Sequence, residues 1–129
     1  KWTNVTADYP ALPTSNYYFS LYALSKNDIW AVGGNATSNA GSAIHWNGTT
    51  WTYYEVGQTP LYGVYFISPE NGWAAGEGGY IYHFNGTSWS LHSQPTKNVI
   101  VDFSEDSEGI GWATGFDGTI LKYNENFDE

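Results

Sequence analysis

The chain has 129 residues, enough for one domain, and a formal net charge of −9 carried by thirteen acidic side chains against four Lys and no Arg. That balance excludes nucleic acid and anionic membranes as partners, since phosphate binding needs clustered Lys and Arg. No apolar run is long enough for a membrane-spanning helix, so membrane insertion is not expected. The absence of Cys excludes disulfides and thiolate chemistry. No signal peptide is recognised, and the lack of any Met, including a first one, reads as processing or trimming. Aromatic residues make up 19% of the chain, which can fill a core without long aliphatics.

Taken in order, the chain opens on KWTNVTAD (1–8), which reads like the end of a unit. Its Trp2 matches the Trp of WTYY after Asn47-Gly48 and of WSLH after Asn85-Gly86. Residues Trp2, Thr3, Asn4, Val5 and Thr6 are therefore expected to form an outer strand displaced from its own unit. Tyr9–Pro13 should follow as a stiff extended connection.

A first repeat spans 16–56. Its long loop at Gly34–Ser42, built of Gly, Asn, Ser, Thr and Ala, is expected to be a mobile surface loop. A second repeat spans 60–93, with strands expected near 61–67, 72–76, 79–84 and 88–93. Asn71-Gly72, Gly78-Gly79 and Asn85-Gly86 are read as the two-residue turns between them. A third repeat spans 98–127, with an acidic turn at Glu105–Gly109, and stops at Phe127-Asp128-Glu129 without a fourth strand.

The repeats align by motif. Leu21–Gly34 is matched to the stretch from Leu61, Gly41–Trp51 to Gly79–Trp89, and Ile110–Asn124 to the second and third strands. Trp30, Trp73 and Trp112 are equivalent, at spacings of 43 and 39 residues. A period near 40 with four strands per unit is the pattern of a β-propeller blade. The fold class is therefore all-β: one propeller domain over 1–129 with three antiparallel repeats. The third would be completed by the N-terminal strand of its own or of a partner chain, because a bare edge strand invites uncontrolled pairing. Rings need about four to eight blades. Two identical chains closing a six-bladed ring answer that need. An open fibre and a piece of a longer propeller are the alternatives.

The residues Asp28-Ile29-Trp30-Ala31-Val32-Gly33 and Ile44-His45-Trp46-Asn47-Gly48-Thr49-Thr50-Trp51, with second copies at Gly72–Gly76 and Tyr82–Trp89, resemble repeats of bacterial and archaeal propellers in secreted or surface proteins. These are relatives of the photosystem II assembly factor-like and sialidase-type (Asp-box) propellers. The resemblance covers nearly the whole chain and implies a binding or scaffold propeller, commonly extracellular. The Asp-box itself is not matched, because Asn stands in place of its Asp. A sialidase site, with its arginines, is excluded in a chain without Arg.

Candidate chemistry is sparse. His45 and His83 are equivalent third-strand residues with Lys122 in the third copy, so a metal shared by two histidines is weighed against an ordinary strand-surface role. The Glu105–Glu108 cluster lacks the alternating spacing that wraps Ca²⁺. Asp28, Glu55, Glu77, Asp102 and Asp117 are scattered over the repeats, and no nucleophile motif is present. Neither a catalytic residue nor a metal or cofactor site is assigned. Tyr53, Tyr54, Tyr80 and Tyr82 are candidates for stacking on sugars, against the alternative of core packing. Asn4, Asn35, Asn47 and Asn85 lie in N-glycosylation sequons, although Asn-Gly at 47 and 85 is also turn chemistry. The resulting expectation is a non-enzymatic, extracellular or cell-surface propeller, a structural, adhesion or scaffold subunit assembled from identical chains. A lectin that binds glycans is the alternative, and a glycoside hydrolase-like enzyme the weaker one.

Overall fold

The computed structural model describes residues 1–9, 12–13 and 16–126, with side chains through Tyr123. The end of the third repeat at 127–129 and part of the Tyr9–Pro13 connection lie outside the described residues.

Among the described residues eleven strands form three antiparallel sheets, each in sequence order. The first holds β1 (Asn16–Ser25), β2 (Asp28–Asn35), β3 (Gly41–Trp46) and β4 (Trp51–Glu55). The second holds β5 (Leu61–Ser68), β6 (Asn71–Gly76), β7 (Ile81–Phe84) and β8 (Trp89–Ser93). The third holds β9 (Ile100–Glu105), β10 (Ile110–Gly115) and β11 (Ile120–Asn126). The first strands lie side by side, β1 against β5 and β5 against β9, so the sheets fan out from a common centre. This is the expected blade architecture.

Register fixes the repeat. Trp30 pairs with Tyr22 and His45, Trp73 with Tyr65 and His83, and Trp112 with Ser104 and Lys122. The match of Leu21 to Leu61 is corrected. Leu21 pairs with Ala31 as Val64 pairs with Ala74, so Leu21 stands where Val64 does.

A glycine follows each repeated Trp by three residues. A Cβ on Gly33 would lie 1.8 Å from the Tyr17 carbonyl oxygen, on Gly76 2.2 Å from that of Pro60, and on Gly115 2.0 Å from that of Val99. The first strand bulges across the end of the second at this point, and only a residue without a side chain lets the backbones approach.

The turns differ in part from expectation. Asp117-Gly118 is a true two-residue turn with φ of +57° and +71°. Gly78 and Gly79 have φ of +76° and +73°, but they lie in a longer connection between the paired residues Ala75 and Ile81, where Glu77–Gly79 make a 3-10 turn. Asn71-Gly72 is not a turn. Pro69-Glu70 makes that connection, and Gly72 lies in β6 beneath the Phe66 ring, which a Cβ would approach to 2.2 Å. Asn47-Gly48 and Asn85-Gly86 open four-residue loops closed by the pairs Trp46–Trp51 and Phe84–Trp89. Only the glycines there have positive φ, because the Asn side chains supply the turn hydrogen bonds instead. The Gly34–Ser42 loop is a short turn of residues 36–40, tied by Asn35 N–H to the Ala40 carbonyl and Asn39 N–H to the Asn35 carbonyl.

The core sits between sheets. Trp30, Val32 and Ala43 of the first sheet pack with Val64, Phe66, Ala74, Tyr82 and Phe84 of the second. Trp73, Ala75 and Ile81 of the second pack with Ile100, Phe103 and Ala113 of the third.

The displaced strand does not form within this chain. Residues 1–5 belong to no strand, Thr6–Asp8 make a single 3-10 turn, and Trp2 is fully exposed. The segment turns toward the first sheet instead, where Tyr9 packs edge-on against Trp46 and Trp51.

Candidate interaction surface

Each sheet has a leading face, toward the sheet before it, and a trailing face, toward the sheet after it. The rule of contact repeats. Trp30, on the first trailing face, stacks on Phe66 (ring centroids 5.1 Å apart, planes at 12°) and meets Phe84 and Trp89 at 4.8 and 5.5 Å. Trp73, on the second, meets Tyr123 of the third sheet at 5.3 Å. Trp112, on the third, has no following sheet among the described residues and is 39% exposed, against 1% for Trp30 and 4% for Trp73.

The opposite end shows the same deficit. Leu21 is 64% exposed, while its counterparts Val64 and Phe103 are 4% and 8%. The N-terminal segment covers only part of this leading face: Val5, Tyr9 and Leu12 line a shallow groove with Tyr18, Ile44 and Trp51. Among the described residues the row of blades therefore carries one incompletely covered face at each end.

A second feature lies between the second and third sheets. A cleft of about 520 Å³ opens there, lined by Trp73, His92, Phe103, Ala113, Leu121 and Tyr123 among others. Between the first and second sheets the outer strand β8 fills the corresponding space, with Trp89 packed on Trp30, Phe66 and Phe84 at 5.5, 5.9 and 5.3 Å. The third sheet has no described fourth strand, and β11 is its edge.

The histidines serve the blades. The third-strand residue opposite each repeated Trp covers its ring: His45 stacks on Trp30 at 4.4 Å, His83 lies against Trp73 at 4.5 Å, and the Lys122 ammonium sits 5.5 Å from the Trp112 ring centre. His45 Nε2 is 2.7 Å from Asp28 Oδ1, and His83 Nε2 is 2.8 Å from Asn71 Oδ1. Each imidazole thus holds the start of its own second strand, and the two are not brought to one site. Burial, reinforced by His92 nearby, pushes the His83 pKa below its ordinary 6.5.

The acidic turn is organised by one residue. Asp106 accepts hydrogen bonds from the Glu108 and Ile110 amides (2.9 and 3.1 Å) and from the Trp112 indole N–H (3.2 Å). The indole bond and then the two amides lower its carboxyl pKa. Across the blade boundary, the Tyr65 hydroxyl donates to Glu105 at 3.2 Å, and burial foremost, then Tyr22 and Glu105, pushes the phenol pKa up.

The four sequon asparagines share one local geometry. Asn47 Oδ1 accepts from the Thr49 and Thr50 amides (both 2.9 Å), and Asn85 Oδ1 from Thr87 and Ser88 (2.9 and 3.0 Å). Asn35 Oδ1 accepts from Thr37 and Ser38 (2.8 and 3.0 Å), and Asn4 Oδ1 from Thr6 (3.0 Å). These Asx turns account for Asn at all four positions without reference to a glycan.

Of the candidate sugar-stacking tyrosines, Tyr82 is buried. Tyr54 packs against Trp30 and Phe84, and Tyr53 and Tyr80 are half-buried. The structure does not gather them into one exposed platform. What sequence reading missed is the covering of Trp112 and Trp73 by third-strand residues and the inter-sheet cleft. The internal repeat carried the first signal, in the succession His45, His83, Lys122.

No family model matches the sequence, and no curated protein matches it. Solved structures do. A YCF48 structure bound to a D1 peptide superposes with a TM-score of 0.69 at 20% identity, covering 92% of this chain and 41% of that one. YCF48 from Cyanidioschyzon merolae superposes with a TM-score of 0.63 at 18% identity, covering 87% and 39%. The chain thus spans about two fifths of the length of these structures. The expectation of an extracellular or cell-surface location is overturned here, since the propellers it resembles are photosystem II assembly factors and not proteins of the extracellular surface. At this identity the likeness bears on fold alone: the three sheets are consecutive blades of a β-propeller, arranged as in the YCF48 structures.

Proposed function

We propose that the chain is a non-enzymatic propeller scaffold that works by binding polypeptide at its incompletely covered faces, with identical chains among its partners. The observation that carries this reading is the broken contact rule. The Trp that is buried at two blade boundaries is 39% exposed at the third, and the leading-face residue buried in the second and third blades is 64% exposed in the first. Exposed apolar surface rimmed by polar residues marks interaction sites. Among the described residues Trp112 meets no other blade's leading face, the surface against which Trp30 packs. That one YCF48 structure holds a D1 peptide supports a polypeptide partner for a propeller of this fold.

Solution mass tests the reading. At micromolar concentrations the particle should exceed the 14.3 kDa of one chain. Placing a charge at either face, by Leu21→Glu or Trp112→Glu, should shift the mass toward one chain. A strictly 14.3 kDa particle at every concentration overturns the self-association.

A further inference from the structure

We propose that the rings of Tyr17, Phe19 and Tyr62, with the Glu77 carboxylate beside them, form a site for a Lys or Arg side chain of a basic polypeptide. The proposal shares a polypeptide partner with the reading above but not its site, which lies across the first strands of two blades rather than on the end faces.

The site follows from a repeated bulge. In each blade one residue of the first strand is skipped in the pairing with the second. These are Phe19 between Tyr18 and Ser20, Tyr62 between Leu61 and Gly63, and Val101 between Ile100 and Asp102. A bulge breaks the alternation of side chains and re-aims the extra one. All three skipped residues are apolar or aromatic, yet none is buried: Phe19 and Val101 are exposed and Tyr62 is half-buried.

Because β1 lies beside β5, the first two of these residues meet across the blade boundary. The Phe19 ring centroid is 4.7 Å from that of Tyr62, with planes at 54°, and 5.1 Å from that of Tyr17, with planes at 70°. Neither pair is stacked flat. Inclined rings leave part of each π face uncovered, and Phe19 is 50% exposed. The negative face of such a ring attracts a cation. The chain already uses this contact in its third blade, where the Lys122 ammonium sits on Trp112.

The charge beside the rings has the matching sign. Glu77 is pinned to the connection that leads into β5: its N–H donates to the Pro60 carbonyl, and the Thr59 hydroxyl donates to its carbonyl, both at 3.0 Å. Burial foremost, then Glu77 and Tyr17, pushes the Tyr62 phenol pKa up, so these groups share one surface. Among the described residues none of the four Lys is ion-paired to the Glu77 carboxylate. A net charge of −9 draws basic partners to the chain as a whole and turns acidic ones away. The rings and Glu77 give such a partner one place to settle.

Titration of hexalysine into the full chain, followed by NMR, tests this. Hexalysine should bind, and its ε-methylene protons should move upfield, the ring-current mark of a side chain over an aromatic face. Phe19→Ala should weaken binding about 2- to 30-fold, the range of one cation–π contact. Phe19→Leu, which keeps apolar bulk at an exposed position and loses the π face, should weaken it in the same range. Glu77→Gln should weaken it about 2- to 5-fold. Glu108→Gln removes the same charge in the turn after β9 and should leave binding unchanged. Hexalysine acetylated on every side chain should not bind. Binding without an upfield shift, or unchanged by Phe19→Leu and Glu77→Gln, would reduce the effect to net charge and overturn the site. Equal binding of the acetylated peptide, or no binding of hexalysine at millimolar concentration, would overturn it too. Self-association does not enter: a chain monomeric at every concentration overturns the end-face reading and leaves this site standing.

Discussion

The indole of Trp30 lies nearly parallel to the ring of Phe66, at 12° and 5.1 Å between centroids, and the two belong to different sheets. Both are about 1% exposed. This contact joins two sheets that could not stand alone, since a small four-stranded sheet with two apolar faces needs a neighbour on each. Phe66→Ala should therefore cost about 3–5 kcal/mol, the range for truncating a buried aromatic. Trp112→Ala, at the register position of Trp30 but 39% exposed, should cost markedly less. Urea unfolding of the two variants checks the difference, and equal losses would contradict the contact rule.

How much of this was written in the sequence follows from what repeats. Blades, strand number and the equivalence of Trp30, Trp73 and Trp112 were legible because each blade must present the same faces to its neighbours. The place of a turn was legible where glycine does the bending, as at Gly78-Gly79, though not the length of the connection. They were misread where Asn side chains carry the turn, as at Asn47 and Asn85, since the dipeptide looks the same in both cases. Asn71-Gly72 misled for another reason: its glycine makes room for the Phe66 ring rather than for a turn. Burial at the ends of the row was not legible at all. Leu21 and Val64 are interchangeable as strand residues, and only the presence of a preceding sheet separates 64% exposure from 4%.

The glycines three residues after each repeated Trp should be intolerant of any side chain. At Gly76 the backbone is extended, so the penalty for Ala is collision with the Pro60 carbonyl at 2.2 Å rather than a forbidden φ. Relief requires moving the first strand of the blade, which carries Leu61 and Val64 in the core. Gly76→Ala should cost about 1–3 kcal/mol or more by overpacking. Gly118→Ala has open space around its Cβ, and its cost comes only from φ of +71°. Thermal melts of the pair should rank Gly76→Ala as the more damaging, with altered chemical shifts spreading into β5 only for that variant.

The sequon-like turns separate turn chemistry from modification. Asn85→Ala removes the acceptor for two amides, Thr87 and Ser88, and should cost about 1–2 kcal/mol at typical net values per hydrogen bond. Asn85→Asp keeps an acceptor oxygen in place and should cost less. Thr87→Ala destroys the sequon but keeps both amides, so it should be close to neutral. Chemical denaturation of the three variants checks the order, and a Thr87→Ala loss as large as that of Asn85→Ala would show that the Thr hydroxyl, not the Asn carbonyl, holds the turn.

His83 makes stability depend on pH in a fixed direction. Its folded pKa is depressed below 6.5 by burial and by His92, so the unfolded chain binds the proton more tightly than the folded one. Stability from this group is fully present above about pH 6.5 and is lost as pH falls from there toward the folded pKa. The local chemistry explains the sign: the imidazole lies between Trp73 and Asn71 Oδ1, and Asn71 carries no charge to pair with an imidazolium. Asn71→Asp places a carboxylate where Asp28 stands beside His45 in the first blade, 2.7 Å from the imidazole nitrogen. It should raise the His83 pKa and reduce or reverse the loss on acidification. His83→Gln, which cannot titrate, should flatten it. Urea midpoints for the three chains between about pH 7.5 and 5 decide the matter, and a wild-type profile as flat as that of His83→Gln would show that the imidazole titrates alike in both states.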